Sequence, residues 1–175
     1  MFMQGTFKFA ETEQRPLISG SIWHPDINFR VPIEFLIDTG ADNTFIVPDD
    51  EERVDIPKEK LLDVPYQVQT FLGVIDFVCL PHCSVILNDR ENNTYEISEI
   101  SLYFLSPKAR KQYKPFSGDQ TFPSVLGRDV IHKLSLCYCK EKDYLGLTEQ
   151  NPEYFNLLSE IFPSLGEDEE VPWID

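Results

Sequence analysis

The chain has 175 residues, 42% hydrophobic and 13% aromatic, which is enough apolar material for one domain with a core. Its formal net charge of −15 argues against nucleic acid or an anionic membrane surface as a partner. No apolar run approaches the roughly 18 residues of a membrane span, and the first residues, MFMQGTFKFAETEQ, lack the basic and apolar regions of a signal peptide. A cytoplasmic protein is expected.

In chain order the pattern is one of short strands. Residues 6–9 alternate, with Phe7 and Phe9 on one side. Residues 16–23 place Ile18 and Ile22 on one face and Leu17, Ser19, Ser21 and Trp23 on the other. Residues 24–28 read as a turn and 29–37 as the returning strand of a hairpin. A short strand over 45–47 ends at Pro48, and the charged, proline-punctuated stretch 48–65 reads as loop with a helical turn at 58–62. Apolar runs at 66–72 and 74–80 flank Gly73. Residues 83–87, the polar turn NDRENN and residues 94–105 form a second hairpin, and 106–123 is loop. A short helix is expected at 129–134, then a last hairpin from 136–139 and 144–147. Residues 152–162, PEYFNLLSEIF, carry apolar residues at helical spacing, and the acidic tail GEDEEVPWID follows. The expected division is a domain over 1–149 and an amphipathic helix with acidic tail over 150–175.

The four cysteines, Cys79, Cys83, Cys137 and Cys139, have Cys-x3-Cys and Cys-x-Cys spacings that do not suit a zinc site. They read as reduced thiols acting as small apolar residues, with no metal and no cofactor expected.

The stretch FLIDTGADNTFI is the informative one. An apolar strand runs into Asp38, Thr39 and Gly40. The bland reading is a turn cap. The chemical reading is a carboxylate kept for proton transfer. Two such carboxylates in close contact cannot both ionise, so one is base toward water and the other is acid toward a carbonyl.

Three segments, RPLISGSIW, VPIEFLIDTGADNTFI and PSVLGRDVIHKLSLCYC, occur in that order, and together they resemble the retroviral-type aspartic proteases, the retropepsins. The resemblance spans about residues 15–148. It implies an all-β fold, a closed barrel with one short helix near its C-terminal part, working as a homodimer. It implies Asp38 as the catalytic aspartate, with Thr39 and Gly40 completing the active-site loop, and a structural ion pair between Asp42 and Arg128. Substrate, a protein or peptide, is expected to lie against Ala41, Asp42, Gly73 and Val74. The flap of that family is glycine-rich, whereas the candidate here, residues 69–77, has only Gly73. The chain holds one Asp-Thr-Gly, so the second aspartate must come from a two-fold mate. The competing function is a catalytically silent dimerisation or peptide-binding module of the same fold. For residues 150–175 the leading expectation is a solvated acidic tail behind a helix packed on the body; the alternatives are that the tail occupies the cleft and restrains activity, or that the helix covers a barrel edge or adds to the dimer interface.

Overall fold

In a computed structural model the described residues are 2–10, 13–27, 29–54, 56–64, 68–70, 73–112 and 122–149. The expected helix and acidic tail at 150–175, and with them the cleft-restraint expectation, lie outside these residues.

Among the described residues are twelve strands, three short α-helices and two single 3-10 turns, at Lys58–Lys60 and Lys140–Lys142. The main sheet is built from β2 (Thr6–Ala10), β3 (Glu13–His24), β4 (Phe29–Ile37), β5 (Leu62–Asp63), β8 (Phe77–Asn88), β9 (Thr94–Leu105) and β10 (Ser124–Leu126). Its path runs β10-β4-β3-β8-β5, with β2 added on β3 and β9 on β8. A smaller sheet, β1-β12-β11, joins β1 (Phe2–Gln4), β11 (Leu134–Cys139) and β12 (Tyr144–Glu149). A third, two-stranded ribbon pairs β6 (Val68–Thr70) with β7 (Gly73–Ile75).

Alternation of side chains explains the main sheet. Along β4, Val31, Ile33, Phe35 and Ile37 are buried while Arg30 and Pro32 face outward. Ile18 and Ile22 of β3 join them from the neighbouring strand. Pro32 is tolerated because β10 pairs only with Phe35, Leu36 and Ile37, which leaves the edge of β4 beside Pro32 free. The carbonyl there accepts a hydrogen bond from Arg53 at 2.6 Å.

Two compensating bulges interrupt the β8–β9 ladder. Its register shifts once between Leu80 and Cys83 and shifts back between Cys83 and Val85. His82 and Glu99 take up the extra residues with left-handed φ values of 57° and 58°, and their side chains meet at 2.9 Å. Pro81, which cannot donate to the ladder, sits at the first bulge. Cys83 lies between the shifts, fully buried beside Leu80, Ile100 and Leu102.

The structure departs from the sequence reading in several places. Helices α1 (Pro48–Glu51) and α2 (Pro107–Gln112) stand where loop was expected, in addition to α3 (Arg128–Ile131). Arg110 of α2 ties the two new helices together, bonding Glu51 at 2.8 Å and Glu52 at 3.3 Å. The strand expected to begin at 83 begins at Phe77, because the bulge lets one strand carry both apolar runs. The expected closed barrel is not formed by strand ladders, since the sheet path has two open ends among the described residues. The strand expected at 45–47 reduces to one residue: Phe45 bridges Val125 on one side and Tyr103 on the other, joining β10 to β9. A single bridging residue replaces a closing strand because Pro48 stops the extended run and starts α1.

Candidate active site

Strand β4 delivers Asp38 to the end of the parallel β4–β10 pair. The inward face of the strand is buried through Ile37, and the half-exposed Asp38 follows it, then the exposed Thr39 and Gly40. The Asp38 amide donates to Leu126 O at 3.2 Å, so the register of β10 sets where the carboxylate begins. The turn then folds on itself. Ala41 N donates to Asp38 O at 3.2 Å, and Gly40 N donates to Asp38 Oδ1 at 2.8 Å. Among the described residues, Oδ1 is therefore held and Oδ2 accepts no hydrogen bond. A Cβ at position 40 would stand 3.2 Å from Oδ1, a tight contact for any residue larger than glycine.

The opposing wall is the segment 125–129. Val125 and Phe45 exchange both backbone hydrogen bonds, at 2.8 and 2.9 Å. Arg128 N donates to Ala41 O at 2.8 Å, and Asp129 N donates to Asp42 O at 3.2 Å. The Arg128 guanidinium contacts the Asp42 carboxylate. Both side chains are well exposed, 42% and 73%, so water screens this pair.

Three residues that had no assigned role complete the clamp. Thr44, fully buried, donates its hydroxyl to Asp129 Oδ1 at 2.8 Å and its amide to Asp129 Oδ2 at 3.0 Å. Thr44 Oγ in turn accepts the Gly127 N–H at 3.2 Å. Burial pushes the Asp129 carboxyl above the ordinary range, while bonds from Thr44 and Val130 and the charge of Lys133 oppose that rise. The available sequence signal was polar: a threonine directly before the apolar stretch 45–47, and an aspartate directly after Gly127-Arg128.

Not every candidate residue converges here. Asp38, Thr39, Gly40, Ala41, Asp42 and Arg128 belong to one turn and its wall, whereas Gly73 and Val74 stand on the separate β6–β7 ribbon. Gly73 pairs with Thr70, and Val74 is 56% exposed. The four cysteines are unpaired thiols, and no group of three His, Cys, Asp or Glu is arranged for a metal among the described residues. Likewise, no described helix is long and apolar enough to cross a membrane.

No family model matches the chain, and no curated protein matches it. Among solved structures, one similar chain is EIAV protease complexed with an inhibitor. It is 15% identical, with a TM-score of 0.43, over 71% of this chain and 92% of that one. Another is a retropepsin-like aspartic protease from Rickettsia conorii, 16% identical, with a TM-score of 0.44, over 84% of this chain and 88% of that one. Both of these structures are named as proteases, and this chain by itself is mostly β with short helices.

Proposed function

We propose that the protein is an aspartic endopeptidase acting as a homodimer, with Asp38 of each protomer supplying one carboxylate of the catalytic pair. The observation that carries this reading is the state of Asp38. It stands at the mouth of a clamped turn, half exposed, with Oδ1 fixed by the Gly40 amide and Oδ2 left for another group. A carboxylate needed only as a cap has no use for the rest of the clamp.

In the paired state one carboxyl keeps the proton and the other is ionised. The ionised member takes a proton from water as the oxygen attacks the peptide carbonyl. The protonated member donates to the carbonyl oxygen, and protonation of the peptide nitrogen then releases the amine. Gly40 fixes Asp38, and Thr39 and Gly40, both exposed, form the face presented to the second protomer. Ala41, Asp42, Gly73 and Val74 contact an extended peptide through backbone and side chains. No cofactor takes part. The catalytic unit is residues 1–149, with 150–175 following it, and the unpaired thiols suit the cytoplasm.

The second reading is a silent dimerisation or peptide-binding module in which Asp38 only caps its turn, favoured by the Gly40 N to Oδ1 bond. Digestion of a peptide library by wild type and Asp38→Asn across pH separates the two. Endopeptidase activity predicts discrete cleavage by wild type with a bell-shaped pH profile, and none by the variant. Peptide binding without cleavage by either protein supports the module.

A further inference from the structure

The Asp129 carboxylate is surrounded by donors. Oδ1 accepts from the Thr44 hydroxyl at 2.8 Å and the Val130 amide at 3.0 Å, and Oδ2 accepts from the Thr44 amide at 3.0 Å. Thr44 passes the constraint on, because its oxygen accepts the Gly127 amide. The 38–44 turn is therefore held at both ends: by Leu126 O at the Asp38 amide, and by the Asp129 carboxylate at Thr44.

We propose that Asp129 is a positioning residue whose ionised carboxylate, acting through Thr44, fixes the 38–44 turn and with it Asp38, and whose protonation loosens that hold on the acid side of the activity profile. This inference rests on the endopeptidase reading above.

The chemistry of the donors requires it. An ionised carboxylate is an acceptor only, and it matches three donors. A protonated carboxyl must point its own hydrogen somewhere. The Thr44 and Val130 amides cannot reverse, and Thr44 Oγ already accepts from Gly127, so at least one bond has to break or turn. The charges around the site leave Asp129 in control. Lys133 favours the ionised form, and Arg128 and Asp42 are engaged with each other. Helix α3 packs on β11 and β9 and ends at the exposed His132. Strand β11 carries no carboxylate or basic group. On β9, Glu96 accepts from Ser84 and Ser98, and Glu99 meets His82.

A residue that only supports the fold would behave differently with pH. The folded chain raises the Asp129 carboxyl above its unfolded value, so the native state favours the proton. Its contribution to stability is fully present below the unfolded value and is lost as pH rises through the raised one. Activity runs the other way, since the hold on the turn needs the ionised form. Stability and activity thus respond to this one group in opposite directions.

The test measures kcat/KM and the thermal midpoint against pH for wild type, Asp129→Asn, Thr44→Val and Thr44→Ser, using a peptide found by library digestion. Asp129→Asn is expected to lower kcat on the order of ten- to a hundredfold through misplacement of Asp38, with little change in KM. Its remaining activity should lose the acid-side fall contributed by Asp129, so the acid limb moves to lower pH. Thr44→Val removes a bond that favours the ionised form and moves the limb to higher pH, and Thr44→Ser restores the wild-type profile. An acid limb in Asp129→Asn that superimposes on wild type overturns the proposal, as does movement of both variants in one direction. If Asp129→Asn does not fold, the Thr44→Val and Thr44→Ser pair decides by the same shift. Folded wild type that cleaves no peptide at any pH overturns the endopeptidase reading itself, and this proposal with it.

Discussion

Gly127 lies against the backbone of Asn43 so closely that a Cβ at 127 would come within 2.4 Å of the Asn43 carbonyl carbon and oxygen. The φ of Gly127 is −91°, so the need for glycine is spatial, not conformational. The contact sets the distance between the 38–44 turn and its wall. Gly127→Ala should push the two apart and cost about 1–3 kcal/mol or more, the usual scale of overpacking. Denaturant unfolding of the variant checks the cost, and an unchanged midpoint would show that the turn can yield.

Two links join the same segments, and their worth should differ. The Arg128–Asp42 pair is exposed, so Arg128→Ala is expected to change stability by about 1 kcal/mol or less. The Thr44–Asp129 link is buried at its threonine, and Thr44→Val leaves Gly127 N and Asp129 without a hydroxyl partner. That loss is expected to cost about 1–3 kcal/mol. Unfolding curves of the two variants measured side by side test the order, and a larger loss in Arg128→Ala would make the ion pair the main clamp.

The Cys83 thiol is fully buried between the two bulges, and burial pushes its pKa up to about 12. Thiolate is the reactive form, so this thiol should be inert in the native protein at pH 8. A disulfide-exchange reagent is expected to label the half-exposed Cys139 first and to reach Cys83 only at the rate of global unfolding. Mass spectrometry of the labelled protein follows both. Rapid native labelling of Cys83 would mean that the bulged region opens on its own.

Asp89 organises the β8–β9 turn, accepting from the amides of Glu91 and Asn93 and from the Asn93 side chain. These bonds hold its carboxyl below the ordinary value. A group shifted this way adds stability above its unfolded pKa and loses it as pH falls through the folded one. Asp89→Ala should therefore be destabilised relative to wild type at pH 7, with the difference closing below pH ~3.8, the ordinary value for aspartate. A difference constant between pH 7 and pH 3 would assign the effect to turn propensity instead of charge.

Strand β4 was legible because Val31, Ile33, Phe35 and Ile37 alternate, and the β8–β9 hairpin because NDRENN separates two apolar runs. The short helices were not, although each of α1 and α2 opens on a proline, Pro48 and Pro107, and α1 has acidic residues in its first turn. Four and six residues give too few turns for an apolar period to show. The bulges were hidden because left-handed φ falls on His82 and Glu99 instead of on glycine. At the site, the local turn around Asp38 follows from its own residues. The Thr44–Asp129 link spans 85 positions and has no local signature. Phe45 could not be read as the joint between β9 and β10, because its partners are distant in the chain.

On the proposed mechanism, two Asp38 side chains from two protomers make one site. Mixing wild type with an equal amount of Asp38→Asn and allowing subunits to exchange tests it directly. If the site is shared, mixed dimers hold one aspartate and are inactive. Activity should then settle at about half that of the wild type alone, because all-wild-type dimers make up about a quarter of twice as many dimers. Activity unchanged on mixing, from an enzyme whose exchange with the variant is verified, would contradict the shared site and place catalysis within a single chain.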